Sequence, residues 1–167
     1  MTHRAVISVL AAAAFAAALS ASAAPVPLEL HGLKVMPPVP FSAPEEAGLD
    51  AVRVVHPPAA KAGGEKLAVT AVTFPKDSGM NDAELLDYVK TTFLGASEAG
   101  KAVERTFLGK TVKGRALEKK IPAPSLAEVY VVTKKGGDKV VVAFVFVPSF
   151  AKEAEAAIAA IAASMKE

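Results

Sequence analysis

The chain has 167 residues, 52% of them hydrophobic, and its 19 basic against 17 acidic side chains give a formal net charge of +2. A charge this close to zero creates no global field that would favour nucleic acid as a partner. The absence of cysteine excludes a disulfide framework and a lipoprotein-type lipid acceptor, so packing alone must hold the chain together.

The first residues have the layout of a secretory signal peptide. Arg4 precedes an uncharged, alanine-rich apolar stretch that ends in small residues, and the best cleavage frame is Ala21-Ser22-Ala23. A membrane anchor is the alternative interpretation, but the stretch is only about 18 residues long, near the lower limit for a bilayer span. The sequence therefore predicts a periplasmic or secreted protein from which residues 1–23 are removed.

The predicted mature chain consists of a proline-rich segment, residues 24–50, and a single domain, residues 51–167. Each proline fixes φ and removes a backbone donor. The apolar runs at 28–35 and 51–55 are therefore predicted to be two brief strands at a sheet edge. Residues 66–74 are apolar on both faces and rich in β-branched side chains, a pattern typical of a central strand that is covered on both sides.

Two helices are predicted, over about residues 82–94 and 150–166. Asn81 can cap the first turn of the first helix, a glutamate three residues later completes a capping box, and Gly95 can supply the left-handed end. Ser149 is predicted to cap the second helix.

Between the two helices the sequence alternates with the period of strands. A short strand is predicted from Arg105, a longer one over 111–121, and a hairpin from 126–133 and 139–147 with two glycines in its turn. Consecutive strands with short turns form an antiparallel sheet, on which the two helices must pack. The predicted fold class is α+β, an antiparallel β-sheet flanked by two helices.

Part of the sequence resembles a nucleotide-binding P-loop, but its context excludes that function. Residues 95–101 fit the spacing G-x-x-x-x-G-K, but a P-loop follows a strand, whereas a helix ends at Gly95, and Ala102 stands where a hydroxyl must hold magnesium. The second Gly-Lys-Thr, at 109–111, is followed by a strand instead of a helix. These glycines are interpreted as helix-cap and turn residues, and no nucleotide is predicted.

The sequence gives little support for a metal site or for a catalytic nucleophile. His31 and His56 are the histidines of the mature chain, and neither lies at metal-ligand spacing from another ligand, so no metal or other cofactor is predicted. No serine lies in G-x-S-x-G. A small hydrolase with a motif-free site is kept as the alternative function, with His56 as its candidate general base.

A local excess of positive charge lies between residues 101 and 120, which hold seven cations against two anions. Three of these cations, Lys113, Arg115 and Lys119, are predicted to share one face of one strand. They could form a docking face for an anionic protein or envelope component. They could equally form a solvated face whose lysines discourage edge-to-edge aggregation. The scarcity of nearby aromatic residues argues against single-stranded nucleic acid.

The order of the elements resembles the PsbP-like group of small exported domains. The resemblance rests on a helix after a central strand, a basic strand, the long hairpin EVYVVTKKGGDKVVVAFVFV and a closing helix that ends in Ala-Ala-Ser-Met-Lys. It covers roughly residues 50–167 and implies a sandwich of antiparallel sheet and helices. It also implies a non-catalytic accessory role on a larger complex, and it transfers no site residue.

These observations favour an exported, non-catalytic domain that binds a partner through its sheet face or its basic strand. The hydrolase is one alternative. A purely structural envelope protein without a specific ligand is another.

The predicted cleavage has a direct test. Removal of residues 1–23 from the 167 leaves 144 residues that begin at Ala24, because signal peptidase cuts after small residues. Intact-mass measurement of the protein purified from the cell envelope or medium of an exporting bacterial host should give this shortened chain. An unshortened chain that stays with the membrane fraction would support the anchor instead.

Overall fold

The computed structural model describes residues 26–95, 100–119 and 123–167, and the predicted signal peptide lies outside them. The described residues form a seven-stranded sheet, a separate two-stranded hairpin and two helices, which confirms the α+β class. The helices are α1 (Asp82–Thr92) and α2 (Ala151–Ser164). The strands are β1 (Leu28–Leu30), β2 (Leu33–Val35), β3 (Glu45–Glu46), β4 (Ala51–His56), β5 (Leu67–Phe74), β6 (Lys101–Phe107), β7 (Lys110–Lys119), β8 (Ser125–Thr133) and β9 (Lys139–Phe146).

The main sheet has the order β3-β4-β5-β9-β8-β7-β6, and all neighbouring strands are antiparallel. The prediction of a central strand over 66–74 is confirmed, because β5 lies between β4 and β9 and its first six residues are buried. A strand that is covered on both faces has an almost continuous run of apolar residues in its sequence. The hairpin of β8 and β9 is also confirmed, with Gly137 at φ +95° in its turn.

The two helices lie on opposite faces of this sheet. Leu85 and Val89 of α1 pack on alternate residues of β8 and β9, Val129 and Val141 among them. The other alternate residues of the same strands point to α2, which buries Ile158, Ile161 and three alanines. Because successive side chains of a strand point to opposite faces, each strand supplies both cores.

The predicted start of α1 is confirmed as a capping box. The Asn81 side-chain oxygen accepts hydrogen bonds from the N–H groups of Ala83 and Glu84 at 2.9 and 3.1 Å. The Glu84 carboxylate accepts from the Asn81 N–H at 2.7 Å. The predicted end is wrong: α1 ends at Thr92 with Phe93 as its C-terminal cap, and Gly95, although left-handed at φ +59°, lies two residues beyond that cap.

The predicted cap of the second helix is wrong. Ser149 lies inside a turn of 3-10 helix, Pro148–Phe150, and α2 begins at Ala151 without a side-chain cap. A proline at the first helical position is favourable without its N–H, so the turn begins one residue before the expected cap. The helix also ends at Ser164, because Lys166 instead exchanges two backbone hydrogen bonds with Lys34 of β2.

Residues 28–35 differ from the single edge strand that the sequence predicts. They form the hairpin of β1 and β2, since His31 and Gly32 both have positive φ, as a two-residue hairpin turn requires. The hairpin lies outside the main sheet and contributes its apolar residues to the core beneath α2. Strand β6 also begins four residues before the expected Arg105, at Lys101.

A cluster of polar groups attaches α2 to the sheet. Arg105 donates to both oxygens of the Glu155 carboxylate at 2.9 and 3.1 Å and to Glu128 at 3.0 Å. Burial by itself would lower the pKa of Arg105, but hydrogen bonds to Glu155 and Tyr130 and the Glu128 charge raise that pKa above its ordinary value. The charge-assisted bonds therefore join a strand to a helix fifty residues later in the chain.

Tyr130 is the fully buried member of the same cluster. Its hydroxyl donates to the Glu128 carboxylate at 2.6 Å, and its ring packs against Phe107 and Phe144. Burial, and next the hydrogen bond to Glu128, raise the pKa of Tyr130 to about 12.

Gly114 of β7 makes room for this ring. The two residues are register partners, and a Cβ at Gly114 would lie 2.5 Å from Tyr130 Cδ1 and closer still to the Val129 carbonyl oxygen. Neither a backbone carbonyl nor a ring fixed by Glu128 can move aside without breaking its own contacts, so position 114 admits no side chain.

None of the helices in the described part of the chain is long and apolar enough to cross a membrane.

Replacement of Gly114 by alanine should lower the free energy of unfolding by about 1–3 kcal/mol, the usual cost of forcing extra atoms into a packed core. Gly136→Ala is the matched control, because a Cβ there meets no atom within 4 Å and the glycine is exposed. Chemical denaturation of the three proteins measures the difference. Equal stability of the two variants would contradict the packing described for Tyr130.

Alkaline titration tests the environment of Tyr130. The chain has two tyrosines, so in a Tyr88→Phe variant the ultraviolet absorbance of phenolate reports Tyr130 alone, and we expect a pKa of about 12. A pKa raised on folding stabilises the protein below the unfolded value of about 10. This contribution should be lost as the pH rises from about 10 to about 12. The Tyr130→Phe variant, which keeps the lysines, should lose less stability over that range; an equal loss would contradict the assignment.

Candidate functional site: a cationic groove beside helix α1

A groove of about 830 Å³ lies between one side of α1 and strand β7. It exists because α1 packs on β8 and β9 and leaves the same face of β7 uncovered. The floor consists of Leu117, Val129 and Val131, which are also part of the core beneath α1. The partly buried side chains of Leu86 and Leu108 add apolar surface at its sides.

The α1 wall of the groove is charged but internally compensated. Asp82, Leu86 and Lys90 are spaced by four residues and therefore share one side of the helix. The Asp82 carboxylate forms an ion pair with Lys139 at 2.6 Å, and the Asp87 carboxylate forms one with Lys90 at 2.6 Å. This wall thus carries two exposed carboxylates whose charges are already matched.

The β7 wall carries cations without such partners. Lys110, Lys113 and Arg115 are exposed and line the groove, and within the described residues none of them forms an ion pair. The neighbours of Arg115 across the strands are Ala102 on β6 and Val129 on β8. Lys113, by contrast, is paired in register with Glu104. Arg115 is therefore less compensated than Lys113.

The predicted basic face is thus brought together in part. Lys113 and Arg115 lie on one face of β7, as the alternation predicts, and both line the same groove. Lys119 is the last residue of β7, in register with Ser125, and its side chain lies outside the described structure. Arg105 belongs to the same cationic stretch of sequence, but it points to the α2 face and is neutralised there.

The candidate general base, His56, lies in an aromatic stack. Its ring is 5.9 Å from that of Phe41 and 5.5 Å from that of Phe150, and its Nδ1 lies 2.7 Å from the Pro40 carbonyl oxygen. Over residues 26–95, 100–119 and 123–167, His56 has no hydrogen bond or ion pair with a serine or a carboxylate. A neighbouring hydroxyl, Ser42 Oγ, accepts from the Val55 N–H instead. This geometry supports packing of the histidine and adds nothing in favour of the hydrolase.

The second histidine, His31, occupies the turn between β1 and β2. Its Nε2 atom is buried without a hydrogen-bond partner among the described residues. The same part of the chain contains no group of three or more histidine, aspartate or glutamate side chains that could hold a metal ion.

The α1 wall and most of the floor of the groove carry no signal that predicts a site from the sequence. The α1 residues Leu86 and Lys90 look like the ordinary outer side of an amphipathic helix, and Val129 looks like an ordinary core residue. One signal was present in the sequence: Leu117 is the only apolar residue on the otherwise basic face of its strand. An isolated apolar residue among cations indicates that this face is partly covered.

No protein-family model matches the chain, and no curated protein matches it either. Among solved structures, a crystal structure of a protein from Bacteroides thetaiotaomicron VPI-5482 is similar to it, with 13% sequence identity and a TM-score of 0.46. The similarity covers 80% of this chain but only 44% of the other, so this chain spans less than half the length of that protein. A likeness of this size says nothing about a ligand, a partner or an activity of this chain.

Proposed function

We propose that the protein is an exported, non-catalytic binding domain that holds an anionic partner in the groove beside α1. The observation that carries the proposal is that Lys113 and Arg115 are exposed above an apolar floor and form no ion pair with any residue that the structure describes. The predicted signal peptide supports a location in the envelope or outside the cell. The resemblance to PsbP-like domains, which itself remains a prediction, is compatible with an accessory role of this kind.

Four cations elsewhere in the chain are already engaged. Arg53, Arg105, Lys90 and Lys139 each have a carboxylate within 4 Å, so a partner would have to displace an existing ion pair to reach them. Among the described residues no such ion pair holds Lys113 or Arg115, so a partner would displace none of them there. Cations grouped around a concave, partly apolar surface also attract an anion more strongly than isolated surface charges do.

Charge reversal tests the proposal. The Lys113→Glu/Arg115→Glu variant should lose most of its binding to envelope components, because two of the three cations that β7 contributes to the groove become anions. Affinity capture of the tagged protein, residues 24–167, from an envelope extract of its own host measures the loss. The interaction of the native protein should weaken at high salt, since exposed charges are screened within about 10 Å at 0.1 M.

A matched control separates this site from net charge. Lys61→Glu/Lys152→Glu changes the charge equally, and both lysines are exposed far from the groove, in the β4–β5 connection and on α2. It should bind like the native protein. Equal capture by the native protein and the groove variant would contradict the proposal, provided that thermal unfolding shows both to be folded.

A further inference from the structure

We infer that the groove binds an extended acidic peptide segment, which pairs as an added strand with backbone groups left open where β7 and β8 separate. The inference rests on the proposed function of the same groove and names the class of partner that it would take. It follows from a gap in the sheet, from open backbone groups on both sides of this gap, and from the cations on one face of it.

Strands β7 and β8 are paired along only part of their lengths. Their ladder stops at Gly114 and Tyr130, and residues 110–113 and 131–133 have no register partner in each other. Consecutive residues of both strands line the groove at this point, Val112 with Lys113 and Val131 with Val132. Because consecutive residues of a strand point to opposite faces, a groove that touches both members of each pair enters the sheet between the two strands.

The backbone of Thr111 is directed into this gap. Strands β6 and β7 are joined by a two-residue turn with φ values of +50° and +74°, so the flanking residues Phe107 and Lys110 exchange hydrogen bonds. Bonded and non-bonded residues alternate along an antiparallel pair. The N–H and C=O groups of Thr111 therefore point away from β6, and no other described backbone group pairs with them.

The backbone of Thr133 is directed into the gap from the β8 side. The Lys134 N–H donates to the Asp138 carbonyl at 2.8 Å in the turn after β8. By the same alternation, the backbone groups of Thr133 point away from β9, and both threonines are exposed. Within the described part of the chain, the gap thus presents open N–H and carbonyl groups on both sides.

Open backbone groups of this kind suit an extended peptide. A peptide that adds to a sheet gains main-chain hydrogen bonds at a strand that lacks a neighbour. A small anion could pair with the cations of the groove, but it would leave the backbone groups of Thr111 and Thr133 without partners. The gap therefore favours a peptide over a small anion.

The side chains around the gap favour an acidic segment. Lys113 and Arg115 are exposed on the α1 face and form no ion pair with a described residue. Val112 and Val132 belong to the opposite face and line the same groove. An extended peptide presents successive side chains to opposite faces, so the segment that fits alternates acidic with apolar residues. The aspartates of α1 do not oppose it, because each is already paired with a lysine.

Calorimetric titration of the protein with the peptide acetyl-Glu-Val-Glu-Val-Glu-amide tests the inference, and we expect one peptide per chain. The matched control, acetyl-Glu-Pro-Glu-Pro-Glu-amide, keeps the charge but lacks alternate N–H donors. It should bind about tenfold or more weakly, because hydrogen bonds to the open strand are lost. Lys113→Ala/Arg115→Ala should weaken binding of the first peptide by about tenfold or more, whereas Lys61→Ala/Lys152→Ala should not change it.

Amide hydrogen exchange gives a readout that attraction between charges alone would not change. The amides of Thr111 and Thr133 should exchange rapidly in the unbound protein and about tenfold or more slowly with the first peptide bound, because their N–H groups then donate to it. The amide of Val112, which by the alternation is bonded to β6, should exchange slowly in both states and serves as the internal control.

Each other outcome overturns the inference in a distinguishable way. Equal binding of the two peptides, without protection of Thr111 and Thr133, would assign the groove to anions held by charge alone. Tighter binding of decyl phosphate than of either peptide would assign it to a lipid. If the first peptide does not bind while charge reversal at Lys113 and Arg115 still abolishes envelope capture, only this inference falls; if capture is also unchanged, the proposed function falls with it.

Discussion

The structure depends on one constraint: the central strands of the sheet are apolar on both faces. In β5, β8 and β9 successive residues are buried on alternate sides, so a helix must cover each face. The chain supplies two helices and places one on each side. The hairpin of β1 and β2 and the C-terminal residues complete the cover beneath α2, where Lys34 and Lys166 bond to each other.

The groove is a direct consequence of how little of the sheet a single helix covers. An α-helix is about 10 Å wide, and strands lie about 4.8 Å apart, so one helix covers about two strands. On one face α1 contacts β8 and β9, and the neighbouring strand β7 stays open. On the other face, α2 and the β1–β2 hairpin together provide broader cover. The candidate site thus lies on the less protected face and needs no dedicated loop.

Successive side chains of a strand point to opposite faces of the sheet, and this decides what each cation contacts. Arg105 and Arg115 look equivalent in the sequence, in one cationic stretch. The side chain of Arg105 points beneath α2, where Glu128 and Glu155 neutralise it and where it helps to hold the helix. The side chain of Arg115 points to the other face and has no such carboxylate within the described part of the chain. One arginine therefore stabilises the fold, and the other stays exposed in the groove.

Local signals in the sequence determined the features that depend on residues a few positions apart. Examples are the α1 capping box, the β8–β9 hairpin and the shared face of Lys113 and Arg115, because caps, turns and alternation act within a few residues. Two local predictions were wrong for local reasons: Pro148 begins a turn before Ser149 could cap the helix, and His31-Gly32 folds one apparent strand into a hairpin.

Only the tertiary structure decided which cations are free and where a groove forms. Arg105 finds Glu155 fifty residues away, and Gly114 meets Tyr130 across two strands. The groove itself combines a helix wall, a strand wall and a floor from three separate parts of the chain. Such contacts follow from the order of strands in the sheet and from the face on which each helix packs, and no period or motif within a short stretch of sequence encodes either.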